Sequence, residues 1–197
     1  MSFERILDEA AKGKDFGSAP YLLASKKRPH VSRSKIEDYG NVSYLEVGDL
    51  KTARYEDDSS MRYVAAKDLT YDLLFSIYDV NTNALACARV FMNAKELEPR
   101  LSAFVGQFRR PNFEARIIGL QNGGPANDLK ELLGFIARER ISVFEVDLFG
   151  EDTRHIAVDA KVGMSFNILI EDRLYKPGEL TNKLTFDQFQ RSLKGRA

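Results

Sequence analysis

Apolar and polar positions along this chain predict strands and helices in mixed order. Residues 44–47, Tyr44-Leu45-Glu46-Val47, alternate with the period of two of a half-buried strand, and Gly48-Asp49 ends them. Residues 62–66 read as another short strand. Residues 73–78 form an apolar run of strand length, closed by the polar turn Asp79-Val80-Asn81-Thr82-Asn83, and residues 85–92 return as its hairpin partner. Unbroken apolar runs of this length suit a strand buried on both faces.

Further along, residues 94–108 predict a helix, with Pro99 near its start or at a break. Residues 113–120 read as a strand and 121–126 as a Gly-rich loop. Asn127 caps a helix over 128–140 whose apolar stripe is Leu129, Leu132, Leu133 and Ile136. Strands follow at 141–147, 155–158 and 165–170. Thr185-Phe186-Asp187-Gln188 has capping-box spacing and predicts a last helix to Leu193. At the other end, Ser2 caps a short helix over 2–12, with Phe3, Ile6, Leu7 and Ala10 on one face. Residues 14–38 carry Gly17, Pro20, Pro29 and the run Lys26-Lys27-Arg28, a composition that suits an extended arm whose basic run is solvated. The expected architecture is α+β: residues 1–40 as an N-terminal arm, and residues 41–197 as one domain ending in a helix.

Composition narrows the function classes. In 197 residues, Lys plus Arg and Asp plus Glu number 29 each, so no net field attracts nucleic acid or an anionic membrane. Cys87 is the sole cysteine, so no intrachain disulfide forms. Residues 1–10 carry Glu4, Asp8 and Glu9 and do not read as a signal peptide, and no run approaches the roughly 20 apolar residues of a membrane span. The expectation is a soluble cytoplasmic protein without membrane insertion. Two histidines, His30 and His155, with one cysteine do not supply a zinc site. The loop after Gly119 lacks the Lys-Ser/Thr of a phosphate loop. Asp147, Glu151 and Asp152 form an acidic cluster that reads as a solvated turn rather than a cation site. No cofactor or metal is expected.

Several local patterns occur in the order found in one enzyme family. Val47-Gly48-Asp49-Leu50, Glu114-Ala115-Arg116-Ile117-Ile118-Gly119, Gly124-Pro125-Ala126-Asn127, Ile141-Ser142-Val143-Phe144-Glu145-Val146-Asp147-Leu148-Phe149-Gly150, Arg154 and Gly163 follow one another as strand ends and turns do in the CheD chemoreceptor glutamine deamidases. The chain from Tyr44 to about Ile170 resembles that family, whose fold is a sandwich of mixed β-sheets flanked by helices. The family carries a Gly-Ser-Cys nucleophile turn, a Tyr-Asp pair ending the next strand, and a His beyond it. Tyr78-Asp79 aligns the two without gaps. Asp72 then stands at the family's Cys position, Arg89 at its His position and Ala66 at its Thr position, while Thr70-Tyr71 replaces the small turn residues.

The resemblance implies a mechanism that these residues cannot perform. In the family a thiolate attacks a glutamine amide, and a His lowers the thiol pKa and protonates the departing ammonia. A carboxylate is a poor nucleophile toward an amide, and an arginine is no base near neutral pH. Asp72 and Arg89 do keep the anion–cation order of a thiolate–imidazolium couple, which motivates a salt bridge between them. A relocated couple of Cys87 and His155 is the alternative, set against a small buried cysteine in an apolar strand.

The functional expectation is a catalytically inactive CheD-like protein: a binding or regulatory module in chemotaxis or related bacterial signalling. By resemblance its protein partner is a chemoreceptor or a CheC-type signalling protein. Phe104, Phe108, Arg109, Arg110 and Phe113 have the aromatic and arginine content favoured at interfaces, against a reading as core packing plus a polar loop. The alternatives are an active protein-glutamine deamidase or other amide hydrolase using the relocated groups, and an unrelated sheet-rich domain.

Overall fold

Strand β5 (Leu73–Asp79) is buried along its whole length, and its two sets of alternating side chains define the two halves of the molecule. Leu73, Phe75 and Ile77 point into one core, while Leu74 and Tyr78 point into another. The computed structural model of the protein describes residues 28–38, 42–57, 61–109, 111–119, 126–148 and 153–169.

Among these residues the chain forms β1 (His30–Ser32), α1 (Arg33–Asp38), β2 (Val42–Tyr44), β3 (Leu50–Arg54), β4 (Tyr63–Leu69), β5, β6 (Ala84–Val90), α2 (Ala94–Val105), β7 (Phe113–Gly119), α3 (Ala126–Arg138), β8 (Ser142–Leu148), β9 (Arg154–Asp159) and β10 (Ser165–Leu169). The strands make two five-stranded mixed sheets, β3-β6-β5-β7-β8 and β1-β10-β9-β4-β2. The class is α+β and the arrangement a sandwich. No described helix is long and apolar enough to cross a membrane.

Helices α2 and α3 cover the outer face of the first sheet. Leu97, Leu101 and Phe104 of α2 and Leu129, Leu132, Leu133, Phe135 and Ile136 of α3 pack on Phe75, Ala86, Ala88 and Ile117. The Phe75 and Phe135 rings meet edge to face at 6.3 Å. Each such fully buried side chain contributes about 2 kcal/mol through removal from water. Pro99 sits inside α2 without ending it. Between the sheets lie Leu74, Leu85, Cys87, Ile118, Val64, Ala66, Ile156 and Val158. The hairpin of β5 and β6 has the expected register, Leu73 opposite Val90 and Asp79 opposite Ala84.

Three parts differ from the sequence reading. The segment read as an arm is packed from Arg28 onward: β1 pairs in parallel with β10, and Ile36 of α1 is fully buried on the outer face of the second sheet. A boundary at residue 40 therefore falls after elements that belong to the sandwich. Arg28, read as part of a solvated basic run, is itself buried. Strand β3 was not expected, because Leu50-Lys51-Thr52-Ala53-Arg54 is an edge strand with Ala53 alone classed as buried. The strand read at 44–47 is instead β2, ending at Tyr44. The helices expected at 2–12 and 185–193 and the Gly-rich loop at 121–125 lie outside the described residues.

Candidate functional site

Asp72 immediately precedes β5 and Arg89 is the penultimate residue of β6, so antiparallel pairing brings the two to one end of the hairpin. The Arg89 Nε donates to the Asp72 carboxylate in a close ion pair, with side chains only 13% and 6% exposed. The other Asp72 oxygen accepts the Thr70 N–H at 3.0 Å. The remaining guanidinium nitrogens reach the other sheet: Nη1 donates to the Leu45 carbonyl at 3.4 Å and Nη2 to the Asp68 carbonyl at 3.3 Å. Arg89 thus joins the end of β6 to the residue after β2 and to Asp68, next to last in β4. Its own main chain pairs with the turn before β3, its N–H donating to Asp49 and its carbonyl accepting from Gly48.

Backbone geometry fixes the Asp72 end. Gly119, the last residue of β7, has φ +131°, and a Cβ there would lie 2.2 Å from the Asp72 carbonyl oxygen. The close approach of β7 to the chain entering β5 requires a glycine. On the other side, Asp68 adopts φ +54° and donates its N–H to His155 Nδ1 at 3.1 Å. The Asp68 main chain, through its N–H on one side and its C=O on the other, therefore bridges His155 and Arg89.

The structure separates the relocated couple. Cys87 is fully buried between the sheets, and burial pushes its thiol pKa well up, against a smaller lowering by the Arg116 charge. It is a core side chain, not a nucleophile. Along β9, Ile156 and Val158 face the same inter-sheet core while Ala157 faces the opposite side. Alternation puts His155 with Ala157, away from the thiol. Ala66, at the Thr position, is buried in β4 and offers no hydroxyl.

The aromatic segment is also core. Phe104 and Phe113 are buried, and Phe108 packs on them with ring centroids 5.2 and 5.4 Å away. Arg109 is exposed, and Arg110 lies outside the described residues.

A second polar constellation gave no local sequence signal. Arg28 donates to Glu145 at 2.5 Å, to Ser165 at 3.2 Å and to Asn167 at 2.9 Å, and pairs with Asp147 at 2.9 Å. Arg154 pairs with Asp147 at 3.1 Å, and Arg116 lies 3.8 Å from Glu145. All are buried. A register shift between Ala115 and Arg116 sets Arg116 opposite Glu145 and keeps these charges on the inter-sheet side of β8. Asp147 therefore belongs to an internal ion network rather than to a solvated acidic turn; Glu151 and Asp152 lie outside the described residues. With its two acids already bonded to arginines, the network serves as a polar tie between β8, β9, β10 and Arg28 just ahead of β1.

No family model and no curated protein matches this chain.

Proposed function

We propose that the chain is a catalytically inactive CheD-like protein that acts as a binding and regulatory module in chemotaxis or a related bacterial signalling system. The observation carrying this reading is the closed Asp72–Arg89 pair. Where the resembled enzymes hold a sulfur nucleophile and an imidazole, this chain holds two groups that satisfy each other, and its one thiol is sealed in the core. At these two positions neither attack on an amide nor proton delivery to ammonia has a group to perform it.

A docking role has support at the same end of the sandwich. Tyr71, Phe91 and Met92 are 58%, 39% and 75% exposed beside the pair, and Val47 precedes the Gly48 that bonds Arg89. Large apolar side chains around a neutral, rigid centre suit a protein partner, by resemblance a chemoreceptor or a CheC-type protein.

The test has two arms. Purified protein with glutamine-bearing receptor segments should release no ammonia above the buffer rate. It should bind those segments or the CheC-type protein in titration calorimetry, and Tyr71→Glu with Met92→Glu should abolish that binding. Enzyme-like deamidation defeats the proposal, as does binding indifferent to both substitutions.

A further inference from the structure

The opposite end of the hairpin carries a different surface. Among the described residues, strand β3 is the outermost strand of its sheet and pairs only with β6. Its phase is fixed at both ends, because the Asp49 carbonyl accepts from Arg89 and the Tyr55 N–H donates to Asn83. Residues 49, 51, 53 and 55 therefore turn their main-chain groups to β6, and Leu50, Thr52 and Arg54 turn theirs outward. The Leu50 carbonyl is occupied by Arg100 Nη2 at 3.0 Å. The N–H and C=O groups of Thr52 and Arg54 remain at the open edge, without partners among the described residues.

That edge borders a groove of about 420 Å³ between β3 and the end of α2. Phe104 and Phe108 give it an aromatic floor, Thr52 and Gln107 its polar walls, and Arg54 and Arg109 its rim. Its lining holds two guanidinium groups and no carboxylate. Arg109 has no ion-pair partner among the described residues, and Arg54 has only the loose contact to exposed Glu56 at 3.8 Å. Contacts of that kind are worth little and yield to a closer carboxylate.

We propose that this groove receives an extended acidic segment of a partner protein, which adds as a strand to β3. Main-chain pairing with Thr52 and Arg54 supplies register. Alternate side chains of an extended peptide share one face, so an apolar residue rests on Phe108 while acidic residues two positions to either side of it reach Arg54 and Arg109. The unbalanced positive charge of the lining selects an acidic partner over a basic one. This surface is separate from the Asp72–Arg89 end and goes beyond the role assigned there.

The test is a nuclear magnetic resonance titration of the full ¹⁵N-labelled chain with a blocked peptide, Glu-Thr-Phe-Thr-Glu, whose two acids and phenylalanine share one face when extended. The expected result is saturable shifts of the Thr52, Arg54, Gln107 and Arg109 amides. The double variant Arg54→Glu with Arg109→Glu should weaken binding by about tenfold or more. Both side chains are exposed, so the variant should fold normally. The peptide with Lys in place of Glu should not bind, nor should the acidic peptide N-methylated along its pairing edge. Shifts absent from these four amides, equal binding of the Lys peptide, or indifference to N-methylation overturns the proposal. Failure here with receptor-segment binding intact removes the groove and keeps the Asp72–Arg89 reading; deamidase turnover does the reverse.

Discussion

Gly119 lies so close under Asp72 that one added methyl group would meet the aspartate's carbonyl oxygen at 2.2 Å. The obstruction is backbone, which cannot swing away as a side-chain tip can. Gly119→Ala combines that clash with a positive φ and should cost at least about 2 kcal/mol in urea unfolding. It should also move the Arg89 Nε resonance, because Asp72 must shift. An unchanged midpoint would show that β7 and β5 are not so tightly apposed.

The ion pair itself is largely removed from water. Arg89→Ala leaves the Asp72 carboxylate buried without its main partner and should destabilise by about 3 kcal/mol. Adding Asp72→Asn removes the stranded charge and should recover part of the loss. Additive effects in that double-mutant cycle would mean the two groups do not interact.

Arg28 predicts where the domain starts. Arg28→Ala removes the closest cation of buried Glu145 and leaves Asp147 with Arg154 alone, and should cost about 3 kcal/mol. Deleting residues 1–40 removes Arg28, β1 and α1 together and should give an unstable or insoluble product. A stable 41–197 fragment with the full unfolding enthalpy would show that these elements are dispensable.

The Cys87 thiol should ignore iodoacetamide at pH 8 in the native protein, since burial favours its neutral form, and should react fully in urea. Rapid native alkylation would place it at the surface.

Tyr44 provides an alkaline signature. Its hydroxyl donates to Glu37 at 2.9 Å, and burial first, then that bond, pushes its pKa up to about 12. An unfolded phenol titrates near 10. The folded chain thus holds the proton more tightly, so the contribution is complete below pH about 10 and is lost as the pH rises toward about 12. The stability gap between the wild type and Tyr44→Phe should narrow between pH 9 and 11.5. A constant gap would contradict the link.

Legibility in the sequence followed burial. The strands β5, β6 and β7 and helix α3 were readable because they are apolar on a face or throughout, and a buried element must be. Strand β3 escaped because an edge strand buries little and keeps polar residues. Of the candidate positions, Asp72 and Arg89 were readable as a pair, since a hairpin brings nearby chain segments together. The Arg28 network was not: its partners stand 117 and 139 positions away, and no local pattern announces a contact between the two ends of a chain. Phe104 and Phe113 show the converse, where aromatic residues of interface-like composition are buried, while half-buried Phe108 both packs on their rings and lines the groove beside β3.

The parallel pairing of β1 with β10 has a consequence for synthesis. The second sheet takes its outer strand from residues 30–32 but must await residues 167–169 to seat it. During translation the early strand emerges with nothing to bind, while the β5–β6 hairpin already has its mate. Such distant closure raises contact order and slows the last folding step. The nascent protein therefore gains its finished sandwich only once residues 167–169 have left the ribosome.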